Sequence, residues 1–192
     1  MEKSKTSFGA KQIAITAILL AICIVSQFFK NLSIFITGPI INVCIALAVT
    51  LVNLPCGIIL SVITPVTAYI IAESPVMMAV PGIIPLIMAG NAVLAVAVHF
   101  LLKKDVLGTK GLYSVKSYVM AIICALLKGA FMGLTISLWL LPTFIPAESP
   151  LRGKMATFQI TFSLFQFITA CIGFVYFFII MIALKKVIKN AD

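Results

Sequence analysis

Charge is scarce in this sequence, and negative charge scarcest of all. Only 10% of the 192 residues are charged and 62% are hydrophobic, with 14 Lys and Arg against 5 Asp and Glu. A soluble domain covers itself with about 25% charged residues, so this chain lacks the side chains for a water-facing surface and its exterior must meet lipid. There is one histidine, His99, which excludes the paired-histidine zinc motif H-E-x-x-H. The G-x-S-x-G nucleophile elbow and the G-x-x-x-x-G-K-[ST] phosphate loop are missing as well. The aspartates are Asp105 and Asp192, both in predicted cytoplasmic segments, so no aspartate pair lies within a span. Cys23, Cys44, Cys56, Cys124 and Cys171 are scattered and form no C-x-x-C pair, which excludes a disulfide framework and a zinc knuckle. They read as small apolar residues of helix interiors. Nothing in the residues asks for a metal or a cofactor, and no catalytic set is visible. Any energy input must come from a partner or an ion gradient.

Long apolar runs are what the chain has instead. Backbone polar groups in hydrocarbon must be satisfied within helices or a closed barrel, and the runs are too long and continuous for the alternating strands of a barrel. Windows of about 20 apolar residues place spans near 12–29, 39–54, 56–72, 80–102, 117–141 and 156–184. The expected fold is therefore an all-α integral membrane bundle of six helices, a single transmembrane domain over 1–192. The last run is long enough to tilt or to project beyond the bilayer. The net charge of +9 is concentrated in Lys3, Lys5 and Lys11, in Lys103, Lys104, Lys110 and Lys116, and in Lys185, Lys186 and Lys189. With six crossings all three clusters fall on one side, which the positive-inside bias makes the cytoplasm, together with both termini. Nucleic acid is not the implied partner; the lipid bilayer is. The first run lacks a clear small-residue cleavage site and reads as a retained span. The outside segments are then 30–38, 73–79 and 142–155, and the inside turn at Asn53-Leu54-Pro55-Cys56-Gly57 is very short.

Two internal echoes are visible. Ala72-Glu73-Ser74-Pro75 recurs as Ala147-Glu148-Ser149-Pro150, and at the same distance after each proline stands an amide, Asn91 or Gln166. Ser-Pro reads as a serine cap with proline in the first turn of a new helix. The second echo pairs Asn42-x-x-Ile45-Ala46-x-Ala48-Val49 with Asn91-x-x-Leu94-Ala95-x-Ala97-Val98. Similar helix starts also arise by chance in so apolar a sequence, and both readings stand at this point.

The polar residues inside the spans are the candidates for function. Lys128 lies roughly 17 Å along the fifth span at 1.5 Å per residue, near the bilayer centre, where an ammonium costs about 2.5–3.5 kcal/mol. No acidic residue sits at its depth. It is neutral, or solvated by carbonyls and water, or completed by an anionic ligand. Thr135 and Trp139 share its face at i+7 and i+11. In the sixth span Gln159, Ser163, Gln166, Ala170 and Gly173 share one face, which serves either interhelical hydrogen bonding or a ligand. Asn91 lies midway along the fourth span, with His99 deeper. In the first span Ala10, Ala14, Ala17 and Ala21 fall on one face and would let another helix approach closely, within this chain or from a partner.

Six short helices, basic cytosolic ends, no ATP site and the alanine-striped segment Ala17-Ile18-Leu19-Leu20-Ala21 resemble the substrate-binding S component of energy-coupling-factor (ECF) vitamin transporters. The likeness spans the chain in architecture and rests in sequence on the A-x-x-x-A motif. It implies that Ala14, Ala17 and Ala21 dock on a transmembrane coupling protein driven by two ABC ATPases. It further implies that a vitamin-like micronutrient is captured from outside, at the plasma membrane of a prokaryotic cell. The outside segments would surround the pocket, with Lys128, Trp139, Asn91, Gln159, Gln166 and Glu73 as its candidate residues. A stand-alone secondary transporter and a non-transporting scaffold are the alternative readings, and an intramembrane enzyme is disfavoured by the missing nucleophile–base sets.

Overall fold

The computed structural model describes residues 9–29, 33–108 and 111–189. Lys3, Lys5, Lys110, Asp192 and the side chain of Lys189 lie outside the described residues. Helices α1 (Ala10–Gln27), α2 (Ile34–Leu47), α3 (Leu54–Ala72), the short α4 (Pro75–Ala79), α5 (Ile83–Ala97) and α6 (Lys103–Leu107) come first. They are followed by α7 (Val115–Met132), α8 (Leu141–Phe144), α9 (Met155–Phe162) and α10 (Leu164–Lys189). Wider π-helical turns extend α2 over Ala48–Val52, join α5 to α6 over Val98–Leu102, and join α7 to α8 over Gly133–Leu140. Among the described residues, 6 continuous helical segments are long and apolar enough to cross a membrane. The chain is an all-α bundle and a multi-pass membrane protein.

Local chemistry explains where the helices begin. Gln12 reaches back so that its Oε1 accepts from Gly9 N–H at 2.8 Å, the return arm of a capping box. Ser33 Oγ accepts from Phe35 N–H at 3.1 Å, and Asn53 Oδ1 accepts from Cys56 N–H at 2.9 Å. Asn53 caps α3 one residue after the α2 extension ends, with Pro55 in the first turn where its missing N–H costs nothing. That is the very short turn expected from the sequence.

The outside segments are smaller than expected. Helix α2 starts at Ile34 and carries Gly38 and Pro39 inside it, so most of 30–38 is span; Ser33 caps early and the proline is absorbed into the helix. Segment 73–79 holds α4. Segment 142–155 shrinks because α8 runs to Phe144 and a 3-10 turn opens at Pro150. Arg152 Nη1 donates to Pro142 O at 3.1 Å and Ile145 O at 3.0 Å, tying off the carbonyls at the end of α8.

Helix α2 is the centre of the bundle, with 61% of its span window buried against 22% for α1. It packs tightly on α10, where a Cβ on Gly173 would stand 2.9 Å from Asn42 Cβ and 3.0 Å from Pro39 O. Small residues at such crossings let backbones approach in lipid. One buried cluster, including Cys23, Ile45, Val49, Leu60, Leu94, Val98, Cys124 and Phe177, fills the half of the bundle nearer the 103–116 segment. A second, with Val76, Ile83, Met132, Ile136, Leu141 and Phe162, sits at the other end. The cysteines are free, and four of the five are buried in helices, as small apolar residues should be.

Candidate functional site

Between the two clusters lies a cavity of about 270 Å³. Its walls come from the end of α1 (Gln27), the start of α2 (Ile34, Thr37, Gly38, Ile41) and the end of α3 (Thr64, Pro65, Ala68). Ser74, Val76 and Met77 contribute from the α3–α4 corner, with Ile87 and Asn91 from α5, Lys128 from α7, Thr157, Phe158, Thr161 and Phe162 from α9, and Gln166 from α10. These are the helix ends opposite the lysine-rich 103–116 segment. Pro39 and Pro65 lie inside the continuous helices α2 and α3 there, and the backbone is irregular at Ser163, which breaks the sixth span with φ −121° and ψ −85°. Irregular backbone at membrane depth is tolerated where it is buried in protein or lines a cavity.

Among the described residues that line the cavity, Lys128 is the one ionisable side chain, and it is 3% exposed. Its Nζ donates to Asn42 Oδ1 at 2.6 Å and to Asn91 Oδ1 at 2.7 Å. Two neutral amide oxygens accept from this nitrogen, and among the described residues no carboxylate lines the cavity. An ammonium has three N–H donors, so one remains beyond the two asparagines. Asn42 sits on α2 and Asn91 on α5, and each is 3% exposed.

The second sequence echo is thus structural. Asn42 and Asn91 play the same part toward Lys128. The residues that follow each, Ile45, Ala46 and Val49 or Leu94, Ala95 and Val98, are at most 1% exposed. Each run ends in a π-helical turn, Ala48–Val52 or Val98–Leu102, and Lys103 Nζ donates across to Val49 O at 2.8 Å. The first echo is partly so. Ser74 and Ser149 occupy N-cap positions before proline, but only the Ser149 side chain accepts a hydrogen bond, from Leu151 N–H at 3.3 Å. Asn91 and Gln166 both line the cavity.

Of the other expected site residues, three lie elsewhere. Trp139 is 57% exposed, packs edge-on against Phe144 and does not line the cavity. The cause is the π-helical stretch over Gly133–Leu140: i→i+5 turns take more residues than α turns, so the face shared with Lys128 in a regular helix is lost. Gln159 is taken up in a reciprocal pair, its Nε2 donating to Ser137 O at 3.0 Å while Ser137 Oγ donates to Gln159 O at 2.8 Å. The break at Ser163 separates its face from that of Gln166, whose Nε2 donates to Thr161 O at 3.3 Å across the break. Glu73 is exposed in the left-handed cap of α3, φ 42°, and its neighbour Ser74 lines the cavity instead. His99 lies in the π turn after α5, also away from the cavity. Ala10, Ala14, Ala17 and Ala21 are all exposed, so packing among the described residues leaves the stripe uncovered.

Two cavity-side residues escaped the sequence reading. Asn42 was detectable as the echo partner of Asn91. Gln27, 1% exposed, carried the signal of an amide at the end of an apolar span; its Nε2 donates to Thr64 O at 3.0 Å, while its Oε1 has no hydrogen-bond partner.

Compared with known proteins, the chain matches no family model, no curated protein and no solved structure.

Proposed function

We propose that this chain is the solute-binding membrane subunit of a nutrient importer of the energy-coupling-factor kind. It takes a small water-soluble, vitamin-like solute into the cavity from the side opposite the lysine clusters. A separate membrane coupling protein with two ABC ATPases then drives uptake. The observation that carries this reading is Lys128: a buried ammonium on the wall of a cavity, held by neutral oxygens alone, with a donor to spare. A cation kept in so apolar a place at a cost of about 2.5–3.5 kcal/mol marks a functional site by default. The uncovered alanine face of α1 supports the partner arm, because small residues on an exposed face let a second helix close in. A proton-coupled secondary transporter would work through titratable groups, and among its described residues the cavity offers Lys128 alone.

The test joins two measurements on protein from native membranes. A panel of vitamins and related micronutrients is screened by thermal shift, where a solute at 100 times its dissociation constant adds about 2.7 kcal/mol. Coelution with a coupling protein and two ATPases is scored in the same preparation. Stabilisation by one chemical class together with coelution is the expected result. A lone protein that no solute stabilises would be a scaffold.

A further inference from the structure

Two recognition groups on the cavity wall differ in kind and sit on different helices. On α7, Lys128 has one N–H left after serving Asn42 and Asn91. On α1, Gln27 donates from Nε2 to Thr64 O and keeps an unpartnered acceptor, Oε1, on a residue that is 1% exposed. A buried polar atom without a partner costs free energy, and each such atom in a native structure calls for an explanation. Both residues line one cavity of about 270 Å³, small enough for a single compact solute to meet both. The remaining wall is largely apolar, with Ile41, Phe158 and Phe162 among its members.

From these features we infer that the solute is a small monoanionic acid that also carries an N–H or O–H donor, its anionic group on Lys128 and its donor on Gln27 Oε1. The inference deepens the solute-binding reading and rests on it. Charge fixes the first half. Among the described cavity residues one ammonium stands with no carboxylate, which matches a single negative charge. A cationic solute would place two positive charges together, and a dianion would leave one charge buried and unpaired, which is strongly unfavourable. Hydrogen-bond polarity supplies the second half, since the buried atom of Gln27 left without a partner is the acceptor Oε1, while Nε2 is bonded to Thr64 O. A site that hydrogen-bonds a substrate O–H or N–H rejects analogues lacking it far more strongly than an apolar pocket discriminates size. The apolar wall selects a ring or short carbon skeleton between the two polar points.

The test uses the full-length protein in detergent and simple aromatic acids as probes: the three hydroxybenzoate isomers, their methoxybenzoate ethers, the corresponding hydroxybenzyl alcohols, and benzylamine. Affinity is read from the concentration dependence of the melting temperature. The expected order is hydroxybenzoate first, with the best isomer about tenfold tighter than its methoxy ether, the worth of roughly one hydrogen bond. The alcohols should be weaker than the acids, and benzylamine should not bind. Gln27→Met should bring the hydroxy-to-methoxy ratio to about one. Gln27→Glu also loses the tie to Thr64 but keeps acceptor oxygens; it should retain the tenfold ratio even though both acids bind it less well. That rescue separates recognition from a merely structural role of Gln27. Equal binding of hydroxy and methoxy acids, a ratio that persists in Gln27→Met, or one that collapses in Gln27→Glu would overturn the donor rule while leaving the solute site standing. Preference for benzylamine would overturn the charge rule. Absence of stabilisation by every probe and by every solute of the micronutrient panel would overturn the inference and the solute-binding reading together.

Discussion

The two halves of the bundle are built from the same apolar helices and handle lysine in opposite ways. In the half nearer the 103–116 segment, small side chains such as Cys56, Ala95, Ala125 and Ala170 are fully buried and the interior is filled. The lysines there sit at helix ends: Lys103 donates to Val49 O, and Lys185 donates to Val106 O at 3.1 Å and Gly108 O at 2.8 Å. In these roles they satisfy backbone carbonyls that helix ends and widened turns release. In the other half, prolines and a broken sixth span hold the helices apart around a cavity. Its lysine is mid-helix, bonded to two side-chain amides and set in the cavity wall. A lysine that closes backbone is structure, whereas one that needs two asparagines to keep it in place beside a cavity is a site.

Several substitutions would break or sharpen this contrast. The largest effect on stability is expected from Asn42→Leu, which keeps side-chain volume and leaves the Lys128 ammonium with a single partner. Loss of a hydrogen bond to a charged group costs about 1.5–3 kcal/mol. Chemical denaturation in detergent checks it, and an unchanged midpoint would mean that Asn42 does not hold the lysine. Gly173→Val comes next, at about 1–3 kcal/mol of overpacking, because the new Cβ meets Asn42 and Pro39 at 2.9 and 3.0 Å. It should also loosen the cavity by pushing α2 from α10, visible as weaker solute binding. At the filled end, Lys103→Met removes one bond to a backbone carbonyl and should cost about 0.5–1.5 kcal/mol with solute affinity untouched. Lower affinity there would erase the distinction between the halves. The smallest change in stability, within about 0.5 kcal/mol for a surface position, belongs to Ala17→Trp. Its effect should appear only in assembly, as loss of coelution with the coupling protein while the isolated subunit still binds solute. Normal uptake by that variant would remove the alanine face from docking.

The fold was legible because its signals are long-range and redundant: six apolar windows, and lysine clusters whose spacing fits an even number of crossings. Its irregular parts were not, because each rests on a local break that periodicity presumes absent. Trp139 misses the cavity through π-helical turns, and Gln159 parts from Gln166 through the backbone of Ser163. Lys128 and Asn91 were found because a polar group deep in an apolar run is costly wherever it faces. For Lys128 the sequence left three states open, solvation by carbonyls among them; the carbonyls that accept from it are the side-chain amides of Asn42 and Asn91, the two residues of the echo. Gln27 lies at a span end, where an amide also suits the interface with water, so only the fold sets it against Thr64 and the cavity.

The account stands most directly on whether Lys128 serves the cavity or the fold. Lys128→Met keeps most of the stem and removes the ammonium. It leaves two asparagine oxygens unpaired, at about 1–3 kcal/mol each, and relieves a buried charge worth about 2.5–3.5 kcal/mol, so the two effects oppose each other at similar size. The decisive measurement takes affinity and melting temperature from one purified sample of this variant, using the solute that most stabilises the wild type. The account predicts a melting temperature without solute within a few degrees of wild type and affinity weakened by about 2–5 kcal/mol, the usual effect of removing a buried charge partner. Unchanged affinity with a clearly lower melting temperature would contradict it.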